Sequence, residues 1–130
     1  MKIKFAIVCD NAFTDNDGRL NIIQTFEIIR AASFPAIHPK LTVVTKVELE
    51  SKEIAVETIS QSTEIVEHNS GKVLIKSEPK EMNVSQKKNV QFIAGFIGLK
   101  FDKPGEYDVY LVINKKKTEK VTSFSVERIT

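Results

Sequence analysis

The chain has 130 residues, of which 42% are hydrophobic and 28% are charged, and its net charge is +2. This length is typical of one domain with its own core, so we expect a single domain over residues 1–130. No apolar run reaches the ~18 residues that a membrane-spanning helix needs, and the first apolar stretch is too short for a signal peptide. We therefore expect a cytoplasmic protein without a membrane partner.

The start of the chain has the pattern of a β-hairpin. Every second residue from Ile3 to Cys9 is apolar, and a similar alternation runs from Leu20 to Ile28. Between them, residues 15–18 read Asp-Asn-Asp-Gly, a composition typical of a tight turn. These features predict two strands joined by a short turn.

The middle of the chain contains two further predicted strands and two irregular segments. Residues 41–49 place Leu41, Val43, Thr45, Val47 and Leu49 on one face, and residues 73–84 begin with a β-branched run after a turn. The two prolines of residues 33–39 predict a loop. Residues 54–68 change parity near Glu57, which predicts a bulge or a break in that segment.

The most apolar segment runs from Val90 to Leu99, where large apolar residues occupy both parities. A strand with one face in the core and one in water should alternate, so the outer face of this strand needs a cover. We expect a protein partner or a second copy of the chain there, and an alternative is that residues 54–68 fold across this face. The candidate interface residues are Val90, Phe92, Ile93, Phe96 and Ile97.

The last part of the chain predicts two more strands, Tyr107 to Asn114 and Glu119 to Ile129, on either side of a lysine-rich turn. About seven to eight strands in all predict an all-β fold, an immunoglobulin-like antiparallel β-sandwich. The turn Pro104-Gly105 followed by Tyr107 matches the tyrosine corner of such sandwiches, in which the hydroxyl bonds to the backbone of the preceding corner.

Two stretches of the chain resemble a family of small, uncharacterised bacterial β-sandwich proteins, a domain of unknown function. The first runs from Ala6 to Ala12 and continues through Gly18 to Ile23, and the second runs from Phe101 to Tyr107. The resemblance implies a β-sandwich and no assigned activity.

The sequence offers little catalytic or metal-binding chemistry. Cys9 lies on the apolar parity of its strand, which predicts a buried core residue, and neither His38 nor His68 has the spacing of a metal ligand. We expect no catalytic residues, no cofactor and no metal. The acidic hairpin from Asp10 to Asp17 has two possible interpretations. It is either a loop that holds a cation or a turn in which Asn and Asp side chains accept hydrogen bonds from backbone amides.

The lysine runs at 87–88 and 115–117 lie in predicted turns, so we expect no nucleic-acid partner. The function that the pattern favours is a non-enzymatic protein-interaction or self-assembly module that uses a sheet face or edge. The alternative is a loop-based binder of a small molecule or carbohydrate, with polar contacts from Asp10 to Asp17, His38 and Asn69.

Overall fold

Alternating apolar side chains and tight turns fold the chain into two packed β-sheets. A computed structural model describes residues 1–54, 57–85 and 87–129, which contain ten strands and one helical turn. The strands are β1 (Lys2–Thr14), β2 (Leu20–Thr25), β3 (Ile28–Ala31), β4 (Ala36–Glu48), β5 (Thr58–Glu67), β6 (Val73–Lys76), β7 (Lys80–Asn83), β8 (Asn89–Phe101), β9 (Gly105–Ile113) and β10 (Lys116–Arg128), and the helical turn is α1 (Ser51–Ile54).

The first sheet has the order β2-β1-β4-β8, and the second has the order β3-β10-β9-β5-β6, with β7 also paired to β5. The predicted all-β sandwich is confirmed. Its pairings are antiparallel except for β3 with β10, which are parallel. Only residues 26–27 separate β2 from β3, and the chain passes from the first sheet to the second between these two strands.

The structure has ten strands where the sequence predicts seven to eight, because two predicted strands are each divided. The strand predicted over residues 20–28 is divided into β2 and β3, because the chain leaves the first sheet after β2 and enters the second sheet at β3. Residues 73–84 divide at Pro79, which lacks a backbone N–H and precedes β7. The two short strands lie one after the other along β5, β6 beside residues 64–66 and β7 beside residues 58–61.

Two predictions about irregular segments are corrected by the structure. Residues 33–35 form the predicted loop between β3 and β4, but Pro39 lies inside β4, at a point where β4 is no longer paired with β1, whose ladder ends at the Cys9–Thr42 pair. Residues 58–67 do not cross the outer face of the apolar strand but form β5 inside the second sheet. Residues 55 and 56 of the predicted irregular segment lie outside the described part of the chain.

The core lies between the two sheets and is aromatic at one end. The Phe101 ring packs edge-on to both Tyr107 and Phe124, with centroids 5.0 and 6.0 Å apart. Tyr107 is buried, and burial raises the pKa of its hydroxyl. The hydroxyl is 3.5 Å from the Lys103 carbonyl, the outer limit of a hydrogen bond, so the tyrosine-corner assignment is not confirmed.

None of the helical structure in the described residues has the length and apolar character needed to cross a membrane.

Candidate functional site

The apolar strand predicted from Val90 to Leu99 is β8, and the structure separates its two sets of side chains. Val90, Phe92 and Phe96 are buried in the core between the sheets. They cannot belong to a surface, so the structure removes these three residues from the predicted interface. Ile93 and Ile97 lie on the opposite, outer face, where Ile97 is 83% exposed.

The outer face of the first sheet carries an apolar group, here called the outer cluster. Val44 and its neighbour Ile93 belong to it, whereas the adjacent Val43 and Ala94 point into the main core. Val44 and Cys9 are fully buried although the second sheet lies on the other side. The cluster consists of Cys9, Ala12 and Val44, with Phe5, Ile7, Leu20, Ile22 and Ile93 packed against them.

Within the described residues, β8 has a hydrogen-bonded neighbour on one side only, which is β4. Its 13 residues therefore form an open edge of the first sheet. Gly98 has φ +66°, and between Phe96 and Leu99 the buried positions change from even to odd residues. This change explains why alternation alone could not show which face of β8 lies in the core.

The predicted acidic hairpin is a turn braced by its own carboxylate. Asp15 Oδ1 accepts hydrogen bonds from the amides of Asp17 and Arg19, both at 2.9 Å. The hydrogen bond from the Arg19 amide contributes most to lowering the pKa of the Asp15 carboxyl, and the bond from the Asp17 amide adds to this effect. Asp10 instead lies 3.5 Å from Nε2 of His38, and among the described residues Asp10, Asp15 and Asp17 are not close enough to one another to share a cation.

The outer face of the second sheet holds a charged group that the sequence did not reveal, here called the Asp108 network. His68 Nδ1 lies 2.7 Å from Asp108 Oδ2, and Lys120 Nζ lies 3.8 Å from Asp108 Oδ1. Asp108 is buried although it faces outward. The hydrogen bond to Asp108 and its charge raise the pKa of His68, and Glu106 adds to this effect.

In the part of the chain that the structure describes, His68, Glu106 and Asp108 form the one group of three side chains close enough to share a metal ion. Lys120 already supplies positive charge to the Asp108 carboxylate, and His68, whose pKa this carboxylate raises, is hydrogen-bonded to it. A bound cation would have to compete with both groups. The arrangement therefore fits an ion-pair network better than a metal site.

Two other ion pairs use lysines of the basic runs. Lys117 Nζ lies 3.1 Å from Glu64 Oε1 and 4.1 Å from the centre of the Tyr110 ring. Lys88 Nζ lies 3.5 Å from Glu48 on the other sheet. These lysines are thus divided between the two sheets and paired with acids, an arrangement unlike a continuous basic patch.

The residues of the alternative, a loop-based binder, are only partly brought together. His38 and Asp10 are adjacent and His38 also packs on Phe26, with ring centroids 5.2 Å apart. Asn69 lies in the turn between β5 and β6 of the other sheet. A cavity of about 560 Å³ does open at that end of the sandwich. Its lining is Glu67, Ser70, Lys72, Val73, Leu74, Asp102, Lys103 and Tyr107. The expected Asp10 and His38 line a separate cavity of about 280 Å³ with Asn11, Pro39 and Lys40, and small-ligand binding stays a prediction.

Cys9 is a free and fully buried cysteine of the outer cluster. Its Sγ lies 3.4 Å from the carbonyl of Asn11 and 3.5 Å from that of Thr42. Burial raises the pKa of the thiol, and the negative charge of Asp10 raises it further. A thiol of this kind is a poor nucleophile.

The fold and these sites define a two-sheet β-sandwich whose most distinctive surface is an open apolar edge. The chain belongs to the family described as "Family of unknown function (DUF6941)", whose model matches residues 4–127. The predicted membership in a family of unknown function is thereby confirmed. No curated protein sequence matches the chain.

Among solved structures, the chain is similar to Pseudomonas fluorescens alkylpurine DNA glycosylase AlkC bound to DNA containing an abasic site analog. The TM-score is 0.49 and the identity is 12%, over 78% of this chain and 28% of that one. The matched region is thus less than a third of the glycosylase chain.

Proposed function

We propose that this protein is a non-enzymatic interaction module that binds an extended segment of a protein along the open edge of β8. The observation that carries the proposal is the length and composition of this edge. β8 has 13 residues, and no charged residue or proline lies between Val90 and Leu99. An unpaired strand of this kind is a template for pairing with another strand.

The other sheet edges are shorter or carry lysines, which supports the choice of β8. At the opposite edge of the first sheet, β2 has only six residues. In the second sheet, β3, β6 and β7 have only four residues each. β10 has an open stretch before its pairing with β3, but that stretch contains Lys116, Lys117 and Lys120. Short strands and lysines are common protections against unwanted pairing. β8 is long, and its one lysine, Lys100, lies near its end, outside the segment from Val90 to Leu99.

The side chains beside the β8 edge would add to binding through the backbone. Ile93 is packed on the outer cluster and Ile97 is exposed, so an incoming strand would meet apolar groups already held in place. Covering an exposed isoleucine contributes about 2 kcal/mol at the usual free energy per unit of apolar area. Backbone hydrogen bonds then supply affinity, and these side chains supply selectivity.

The proposal of a non-enzymatic, cytoplasmic role rests on the side chains that are present. Cys9 is buried with a raised pKa and is unpaired, which fits a reducing compartment. His68 is held by Asp108, and Lys117 by Glu64. These contacts support structural roles for the ionisable groups and favour a protein partner over nucleic acid.

The proposal can be tested by placing a photo-crosslinking amino acid at Ile97 in the full chain within its native cells. The matched control places the same group at Ile23, an exposed isoleucine on β2 at the opposite edge of the same sheet. We expect a discrete protein adduct from position 97 and none from position 23. Adducts of equal yield at both positions, or none at either, would contradict the proposal.

A further inference from the structure

We propose that the segment bound by β8 is the β8 strand of a second copy of this chain, paired antiparallel about a two-fold axis at Gly95. The inference rests on the proposed function of the β8 edge and names its partner. The pairing joins two four-stranded sheets into one continuous sheet. The evidence lies in the direction of the backbone groups, in the residues around Gly95 and in the distribution of charge.

The free backbone groups of β8 can be assigned from its pairing with β4. The Leu49 amide donates to the Lys88 carbonyl at 2.7 Å, which makes these opposite residues a hydrogen-bonded pair. Hydrogen-bonded pairs alternate along an antiparallel ladder, and the register between β4 and β8 does not shift. Even residues such as Phe92 and Ala94 therefore bond to β4, and the N–H and C=O groups of odd residues point to the open edge.

A second hydrogen bond gives the same assignment from the other side of the sheet. The Phe26 amide donates to the Val8 carbonyl at 3.1 Å, so the even residues of β1 bond to β2 and its odd residues bond to β4. The pairs Ile7–Val44 and Cys9–Thr42 are then hydrogen-bonded. The odd residues of β4, including Val43, consequently face β8, as the first assignment requires.

The sequence around Gly95 is symmetric in the way that a two-fold axis needs. An axis at Gly95 pairs this glycine with itself and pairs Ile93 with Ile97 of the second copy. All three residues are odd, so their free N–H and C=O groups meet in hydrogen-bonded pairs. Four isoleucine side chains then surround the axis on the outer face, where Ile97 is 83% exposed in the single chain.

Packing within the single chain does not account for the glycine at position 95. A Cβ built there would have Thr42 Oγ1 at 3.9 Å and Lys40 Cε at 4.0 Å, which are ordinary contacts. Its φ is not in the left-handed region that favours glycine. A glycine inside a strand weakens it and often marks a place where another backbone approaches. Here it leaves space at the axis for the four isoleucines.

The charges near the edge also suit a second copy. A two-fold axis brings each residue near its own symmetry mate, so a charge close to the axis would meet a like charge. No charged residue lies from Val90 to Leu99. The nearest charge, Lys40 of β4, donates its Nζ at 2.8 Å to Asn11 Oδ1 on β1, which lies on the far side of β4 from the β8 edge. A groove of about 180 Å³ beside Gly95 is bordered by Glu78 and Lys80, one charge of each sign, so its charged border is not of a single sign that would repel a second copy.

The register can be tested by disulfide trapping with two single variants, Ile93→Cys and Ile97→Cys. Residues of a hydrogen-bonded antiparallel pair have Cα atoms about 5.5 Å apart, within disulfide range. Two copies of Ile93→Cys would hold their thiols roughly 13 Å apart along the strand. We expect mild oxidation to link the equimolar mixture at least tenfold faster than either variant alone. Faster linking of either variant alone would overturn the axis at Gly95.

Sedimentation of the purified full chain tests self-association independently of any cysteine variant. We expect a reversible dimer of twice the 14.6 kDa chain mass, weakened at least tenfold by Ile97→Lys and unchanged by Ile23→Lys. A monomer at all concentrations would overturn the inference of a second copy. If the chain is a monomer but position 97 crosslinks to a different protein in cells, the proposed function stands and only the inference of a second copy is wrong. Without such a crosslink, the proposed function is wrong as well.

Discussion

The two outer faces of this sandwich bury side chains by different means. On the first sheet, Val44 and Cys9 are fully buried by apolar neighbours of the outer cluster. On the second sheet, Asp108 and Glu64 are buried at 5% and 8% exposure, and each is paired with a lysine. Apolar burial needs no oriented partners, whereas buried carboxylates need placed cations. Ion pairs therefore neutralise the buried charges on the outer face of the second sheet, whereas the outer face of the first sheet ends in an apolar edge at β8.

The largest expected effect comes from placing a charge in the outer cluster. Val44→Asp would bury a carboxylate without a cation, and we expect it to lower the free energy of unfolding by about 3–5 kcal/mol. The measurement is urea denaturation of the purified protein. Ile37→Asp is the matched control, since Ile37 is an exposed residue of the same strand and its substitution should have little effect. Equal losses in the two variants would show that the outer cluster is not a packed unit.

A smaller effect is expected on the charged face. Asp108→Ala would leave His68 and Lys120 without their shared carboxylate, and we expect a loss of about 2 kcal/mol in the free energy of unfolding. The control is Asp102→Ala, because the Asp102 side chain is 83% exposed and lies 3.9 Å from Lys100. Exposed pairs of this kind contribute little. A control variant as unstable as Asp108→Ala would contradict the assigned role of the network.

The smallest effect concerns pH. Because Asp108 raises the pKa of His68 above 6.5 in the folded chain, protonated His68 stabilises the fold below that pH. This contribution should disappear as the pH rises through the raised pKa. We expect the unfolding free energy of the wild type to fall over this range relative to that of His68→Gln. Parallel pH profiles for the two proteins would contradict the coupling of His68 to Asp108.

The strands were predictable where apolar residues recur at every second position, and the sites were not. Residues 41–49 revealed the core face of β4, and the Asp-Asn-Asp-Gly turn revealed the first hairpin. The pairing of His68 with Asp108 was hidden because 40 residues separate them and only the β5–β9 ladder brings them together. A signal was present, since Asp108 is the one charged residue between Tyr107 and Ile113.

The apolar character of β8 could be predicted from the sequence, but the face that it turns to the core could not. Apolar residues at both even and odd positions of the strand indicated that both of its faces are covered, but they could not show which face lies in the core. That assignment depends on Gly98, whose φ of +66° accompanies the change from even to odd buried residues. The open backbone edge depends on strand order, which no local pattern contains.

Amide hydrogen exchange along β8, measured in dilute and in concentrated protein, tests the central claim most directly. The amides of Phe92, Ala94 and Phe96 bond to β4 and should be protected at both concentrations. The amides of Ile93 and Gly95 point to the open edge, so they should exchange rapidly in dilute protein and become protected as the second copy binds. Rapid exchange of Ile93 and Gly95 at every concentration, or their protection in dilute monomer, would contradict the account.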